Sequence, residues 1–216
     1  MTAYNLMPET PSLASDLDNQ SVCLGTEFYS TAPEAWVTEV RQLVSNNYNN
    51  WVPIEMAIYD TYGTKVAGNF TMPTPVNGTW CTYTLPTPLA LTQYTHYRVV
   101  TRWPGGFYPS RSLDFATGAY GTTTTYGDFL VLPNEIDAVS SKQGFYTYSA
   151  TMTFPNETFN GGNYFADVEV TDVDPAGGGA FDNWTVWGGA TERPVVSVSR
   201  WDGTAEVIAD SNETAN

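Results

Sequence analysis

From Ser21 to Val170 the chain repeats one device: a short run rich in β-branched and aromatic residues, closed by Gly, Pro or Asn, then another such run. The runs are SVCLGTEFY (21–29), WVTEVRQLV (36–44), PIEMAIYD (53–60), TKVAGNF (64–70), TWCTYTL (79–85), THYRVVTRW (95–103), DFLVL (128–132), GFYTYSATMTF (144–154) and NYFADVEV (163–170). Strand-length segments at regular spacing, with turn chemistry between them, are the pattern of a sandwich or barrel. The clearest alternation is in PIEMAIYD, where Ile54, Met56 and Ile58 face one way and Glu55, Ala57 and Tyr59 the other. Asp60 to Gly63 then closes a hairpin into TKVAGNF. EVRQLV has some helical spacing, but the Val and Thr around it and the NNYNN tract after it favour a strand followed by a polar loop.

The stretch FNGGNYFADVEVTD (159–172) also reads with period two. Tyr164, Ala166, Val168 and Val170 share the core side, and Phe165, Asp167, Glu169 and Thr171 are expected on a wet side. Two longer segments break the series. PGGFYPSRSLDFATGAYGTTTTYG (104–127) is too aromatic for a spacer and is expected to pack over the end of the sandwich. DPAGGGAFDNWTVWGGATERP (174–194) reads as a linker with an aromatic insert, and VVSVSRWDGTAEVIAD (195–210) as a hairpin turning at Asp202-Gly203. The expected organisation is a sandwich domain over 1–174, a Gly-rich linker over 175–194, and a C-terminal hairpin and tail over 195–216.

A chain of 216 residues suffices for one sizeable all-β domain plus an appendage. Apolar residues make up 42% and aromatics 14%, against 14% charged, which places it among folded chains. Eight basic residues against 23 acidic ones leave a formal charge of −15, with lysine only at Lys65 and Lys142. A polyanion would be repelled, so nucleic acid is not an expected partner, and an anionic membrane surface is disfavoured for the same reason. No window has the length of apolar sequence needed to span a bilayer, and the N-terminus lacks the basic and apolar regions of a secretory signal. Synthesis in a cytoplasm is therefore expected. Sequons at Asn69, Asn77, Asn156, Asn183 and Asn212 then carry no glycan by expectation. Cys23 and Cys81 could form one bridge, which the sequence leaves open. Cys81 is in phase with Tyr83 and Leu85 while Cys23 is out of phase with Leu24 and Phe28, and this favours free thiols.

Catalytic chemistry finds little material. His96 is the sole histidine, which excludes a metal site built on two, and on its strand it shares a phase with Arg98 and Arg102 as a surface residue. No nucleophile-elbow, phosphate-loop or zincin motif occurs. Two acids at the right separation would make a glycosidase, but sequence spacing cannot show that separation. Asp167, Asp172 and Asp174 could offer oxygens to Ca²⁺, yet match no EF-hand spacing and fit a solvated strand edge better. No cofactor and no metal are expected. Aromatics are the stronger signal, because a ring can stack on a sugar or anchor an interface. Trp103, Phe107 and Tyr108 flank the Pro104-Gly105-Gly106 turn and are the candidate ligand platform. Trp184, Trp187 and Trp201 are the candidate assembly interface.

Several segments, in order, carry a resemblance: YNLMPETPS, VCLGTEFYS, VRQLV, MAIYD, GTWCTYTLPTPLALTQYTHYRVVT, GGFYPS and GFYTYSATMTFPNETFNGGNYFADVEVTD. Over residues 4–174 this series resembles domain-of-unknown-function family four-zero-eight-two. The resemblance implies a jelly-roll-like β-sandwich, of a kind found beside carbohydrate-active modules and in virion proteins of actinobacterial phages. Asn163, Tyr164, Asp167 and Val168 stand at matching positions of the family's closing strand, with Phe165 where Trp is common. SRWDGTAEV resembles the short hairpin that ends many phage minor tail proteins.

Together these readings give an expectation of an all-β, jelly-roll-like sandwich with a short C-terminal hairpin extension. The expected role is a non-enzymatic minor tail protein of a phage virion, made in the host cytoplasm, oligomeric in the particle, and touching other virion proteins and host envelope polysaccharide. A capsid decoration protein and a secreted carbohydrate-binding module are the alternatives.

Overall fold

The computed structural model of the protein describes residues 3–175 except 17, 49–53, 134 and 137–140. By contact density the chain parts into two units, Met1–Gly178 and Gly179–Asn216. The second unit, with the expected hairpin and with Trp184, Trp187 and Trp201, lies outside the described residues.

The strands are β1 (Ala3–Asn5), β2 (Val22–Ser30), β3 (Trp36–Leu43), β4 (Glu55–Asp60), β5 (Lys65–Thr71), β6 (Trp80–Ala90) and β7 (His96–Trp103). After these come β8 (Thr124–Tyr126), β9 (Leu130–Leu132), β10 (Glu135–Ile136), β11 (Ser141–Lys142), β12 (Phe145–Tyr148), β13 (Glu157–Thr158) and β14 (Ala166–Thr171). No helix occurs among the described residues. One sheet has the order β1-β14-β3-β6 and the other β13-β12-β2-β7-β4-β5, with β9 pairing the end of β2, and β8 pairing β9. All these pairings are antiparallel. β10 and β11 form a separate antiparallel pair. The facing orders β1-β14-β3-β6 and β2-β7-β4-β5 are those of a jelly roll, in which the chain crosses between sheets at most connections. The protein is an all-β sandwich.

The hairpin from β4 to β5 forms where the sequence indicated, for a local reason. Asp60 Oδ1 accepts the N–H groups of Tyr62 at 3.0 Å and Thr64 at 2.8 Å, and Gly63 takes the positive φ of 83° that the turn requires. The main core fills the space between the sheets with Leu24 and Phe28 of β2, Val37 and Val40 of β3, Met56 and Ile58 of β4 and Val168 of β14, all fully buried.

The larger sheet is covered on its outer face too, which corrects one expectation. GFYTYSATMTF pairs as a strand only from Phe145 to Tyr148. Beyond Tyr148 the chain leaves the sheet and passes over its outside, where Met152 and Phe154 pack on Cys23, Ala57, Tyr59 and Val100. Backbone contacts hold the segment: Thr153 N–H points to Cys23 Sγ at 3.4 Å, and Arg98 donates to the Pro155 carbonyl. The two cysteines are free and buried in different clusters, Cys23 outside the sheet and Cys81 in the main core.

A second correction concerns the expected wet face of β14. Phe165, Asp167 and Thr171 are all fully buried; of that set only Glu169 is partly exposed, although Asp172 and Asp174 beyond the strand are exposed. Two features explain the difference. Phe165 has φ 58°, which breaks the alternation just before the strand, and its N–H donates to Asn163 Oδ1 at 2.8 Å. The face of β14 that bears Asp167 is covered by the N-terminal segment. Asp167 accepts the N–H groups of Leu6 at 2.9 Å and Met7 at 3.2 Å, and Arg41 of β3 bonds both Asp167 Oδ2 at 2.6 Å and the Met7 carbonyl at 2.7 Å. Trp80 Nε1 then donates to the Glu9 carbonyl at 3.1 Å. The result is a strap, pinned side chain by side chain from Leu6 to Glu9, that delivers Asp16 and Asp18 to one end of the sandwich.

Candidate functional site: a tyrosine–aspartate groove

At that end, where β2 begins and β7 finishes, lies a groove of about 440 Å³, within the size range of small-molecule sites. Three parts of the chain build its most informative wall. The strap contributes Asp16 and Asp18, because Asp16 N–H donates to the Tyr108 carbonyl at 2.8 Å and Asp18 N–H to the Gly106 carbonyl at 3.2 Å. The segment after β7 contributes Tyr108 and Ser110. The period of β12 contributes Tyr146 and Tyr148 from one face, with the Phe145 ring on the other face lying over Arg98 at 3.2 Å.

Asp18 organises the polar half. Its Oδ2 accepts the phenolic protons of Tyr108 at 2.6 Å and Tyr148 at 2.9 Å. Asp16 Oδ2 accepts from Ser110 Oγ in the same manner. The rings form edge-on pairs, Tyr108 with Tyr164 at 5.7 Å and Tyr146 with Tyr148 at 5.8 Å between centroids. Burial, and then the Asp18 hydrogen bond, push the Tyr108 phenol far above its ordinary range; burial does the same to Tyr164. The Tyr146 phenol is raised first by the carboxyl of Glu157, the residue opposite it on β13. These groups keep their protons throughout the physiological range. Tyr148 is 50% exposed and Phe159 60%, so both side chains remain accessible to solvent at the groove.

The expected platform is only partly this site. Trp103 is 1% exposed: as the last residue of β7 it sends its ring into the core, edge-on to Tyr48 at 5.4 Å, and cannot meet a ligand. Phe107 is partly buried and packs on the core. Of the three, Tyr108 reaches the groove, and it does so through its hydroxyl. Asp16, Asp18, Tyr146, Tyr148, Tyr164 and Phe159 escaped the sequence reading. The alternation in Tyr146-Thr147-Tyr148 was a signal for two rings on one face, but nothing local tied it to an Asp-x-Asp pair more than a hundred residues earlier.

A second cluster of charges sits on the outer face of the larger sheet, its carboxylate paired with two basic side chains. Glu27, 1% exposed on β2, bonds Arg98 at 2.7 Å and His96 Nδ1 at 2.8 Å from the neighbouring β7, while Gln143 brackets the Glu27 backbone at 2.9 Å and 2.6 Å. His96 stacks on Tyr29 at 4.4 Å, and its side chain is 39% exposed. Burial raises the Glu27 carboxyl, but the bonds from His96 and Arg98 outweigh it and hold it below the ordinary value. With Arg98 closed between Phe145 and Phe154, the cluster reads as structural. Asp167 is likewise committed to the strap and to Arg41. Among the described residues, no three acids, histidines or cysteines gather as a metal site.

The fold and groove define a class: a jelly-roll β-sandwich carrying an aromatic and carboxylate-lined site at one end. The chain belongs to the family described as domain of unknown function DUF4082, whose profile matches residues 8–166. No curated protein and no solved structure matches it.

Proposed function

We propose that this protein is a non-enzymatic structural component of a bacteriophage particle, a minor tail protein, whose sandwich presents the tyrosine–aspartate groove to glycans of the host envelope. The observation that carries the binding half is Asp18 holding two phenols at once, at 2.6 and 2.9 Å, with the Tyr148 ring half exposed beside it. Sugars are recognised by that combination: a rigid ring face for the C–H side of the pyranose and fixed oxygens for its hydroxyls. The same observation favours binding over turnover. A general acid or base needs a proton it can move near neutral pH, whereas Asp18 is occupied by phenols whose protons are held tightly.

The particle half rests on the resemblance of SRWDGTAEV to the hairpin that ends many phage minor tail proteins and on an acidic, lysine-poor chain that suits assembly away from nucleic acid. Its partners are then other virion proteins, in an oligomeric setting, and host polysaccharide. Mass spectrometry of purified particles, together with binding of the protein to host envelope polysaccharide, tests the two halves separately. Absence from particles removes the first; polysaccharide binding unchanged by Tyr148→Ala removes the second.

A further inference from the structure

The polar groups of the groove are not balanced between donors and acceptors. Asp16 and Asp18 offer carboxylate oxygens, which only accept. Tyr108, Tyr148 and Ser110 have directed their protons to those carboxylates, so toward the groove they present lone pairs. Among the described residues Oδ1 of Asp16 and Oδ1 of Asp18 make no hydrogen bond, leaving two further acceptors. Neutral hydroxyls on Tyr164 and Ser112 are the side-chain donors that remain in the lining, and no lysine, arginine or histidine lines the groove. The pairing of Tyr146 with Glu157 adds another acid at its margin.

From this we infer that the groove selects a donor-rich glycan without negative charge, a neutral or ammonium-bearing oligosaccharide, and that Asp18 is the residue that sets this preference. The inference rests on the reading of the groove as a glycan site and adds its charge class. A sugar hydroxyl or ammonium supplies the protons that the wall lacks. A uronate, sialate or phosphate-bearing glycan would bring more acceptors to an acceptor surface and place its charge near two carboxylates. At about 4 Å that repulsion weakens binding by roughly fivefold even at the dielectric of water, and by more inside a groove. The net charge of −15 acts in the same direction at longer range.

Asp18 also arranges the aromatic half, since both Tyr108 and Tyr148 point their hydroxyls at it. Asp18→Asn keeps the size and one accepting oxygen while removing the charge. It is therefore a mild change for the fold and a direct one for charge preference.

The test titrates the full chain calorimetrically with three trisaccharide probes: chitotriose, its de-N-acetylated ammonium form, and trigalacturonate. Chitotriose and the ammonium form are expected to bind at least tenfold more tightly than trigalacturonate. Asp18→Asn should narrow that gap several-fold, with an unchanged melting temperature confirming an intact fold. Trigalacturonate binding as tightly as chitotriose overturns the inference. If that binding is lost in Tyr148→Ala, the groove remains a glycan site of the opposite charge class. A gap that Asp18→Asn leaves unchanged overturns the role of Asp18. Heat from none of the three probes overturns both the charge class and the reading beneath it.

Discussion

Arg41 on β3 and Asp167 on β14 meet with Nη2 2.6 Å from Oδ2, and the Asp167 carboxylate also takes the N–H groups of Leu6 and Met7. The pair thus joins two central strands of one sheet to the strap that carries Asp16 and Asp18. Burial pushes the Asp167 carboxyl up, against the pull of Arg41 and of the Val168 and Leu6 amides. The Arg41 guanidinium lies 4.2 Å from the Trp80 ring centroid, so its stem and head are both engaged.

Breaking this pair from one side should cost more than removing both charges. Arg41→Ala leaves a fully buried carboxylate without its counter-ion, and an unfolding free energy lower by about 3–5 kcal/mol is expected in urea denaturation. Arg41→Met combined with Asp167→Leu should lose less than the sum of the single changes. Simple additivity would show that the two residues do not act as a unit.

Acid sensitivity should trace in part to Glu27. Its carboxyl is held below the ordinary value of 4.5 in the folded chain, so its contribution is complete above that value and is lost as pH falls through the folded one. The melting temperature of Glu27→Gln should lie below that of the parent at about pH 6, and the difference should shrink toward about pH 3. A gap that widens on acidification would reverse the assigned sign.

Both thiols should be silent in the folded protein. Burial raises the Cys23 thiol and pushes Cys81 up to about 11, so little thiolate exists and reagents have no access to it. Labelling with a thiol reagent should register two groups in denaturant without a reductant, and far slower reaction under native conditions. Fast native labelling would contradict the packing of the outer face around Cys23.

In the groove, the ring and the hydroxyl of Tyr148 can be separated. Tyr148→Phe keeps the stacking surface and removes the bond to Asp18; Tyr148→Ala removes both. At a side chain half exposed to solvent each should shift stability by about 0.5 kcal/mol or less. Glycan affinity should fall in the order parent, Phe, Ala, with loss of the ring alone worth about tenfold, as calorimetry can measure.

Much of the fold was readable because it is local. The β4–β5 hairpin follows from Ile54, Met56 and Ile58 alternating into an Asp60–Gly63 turn, and β2, β3 and β7 follow from their β-branched and aromatic runs. Period two reports only that a strand has two faces. It does not say that both are covered. The Asp167 face was read as wet because the strap that buries it comes from the opposite end of the chain, and Tyr148 ends β12 because the chain there turns to cover Cys23 and Val100.

Trp103 shows the same division. Its place at the end of a strand beside a Gly-rich turn was plain, but the direction of its ring was set by the sheet that β7 joins. The amino-acid order thus determined the strands, their turns, the acidic surface and the β class of the protein, since each depends on residues adjacent in the chain. Only long-range strand pairing and the path of the strap decided the site. Asp18 and Tyr148 lie 130 residues apart and meet because β12 pairs with β2, placing Tyr148 beside Val22 just after the strap arrives.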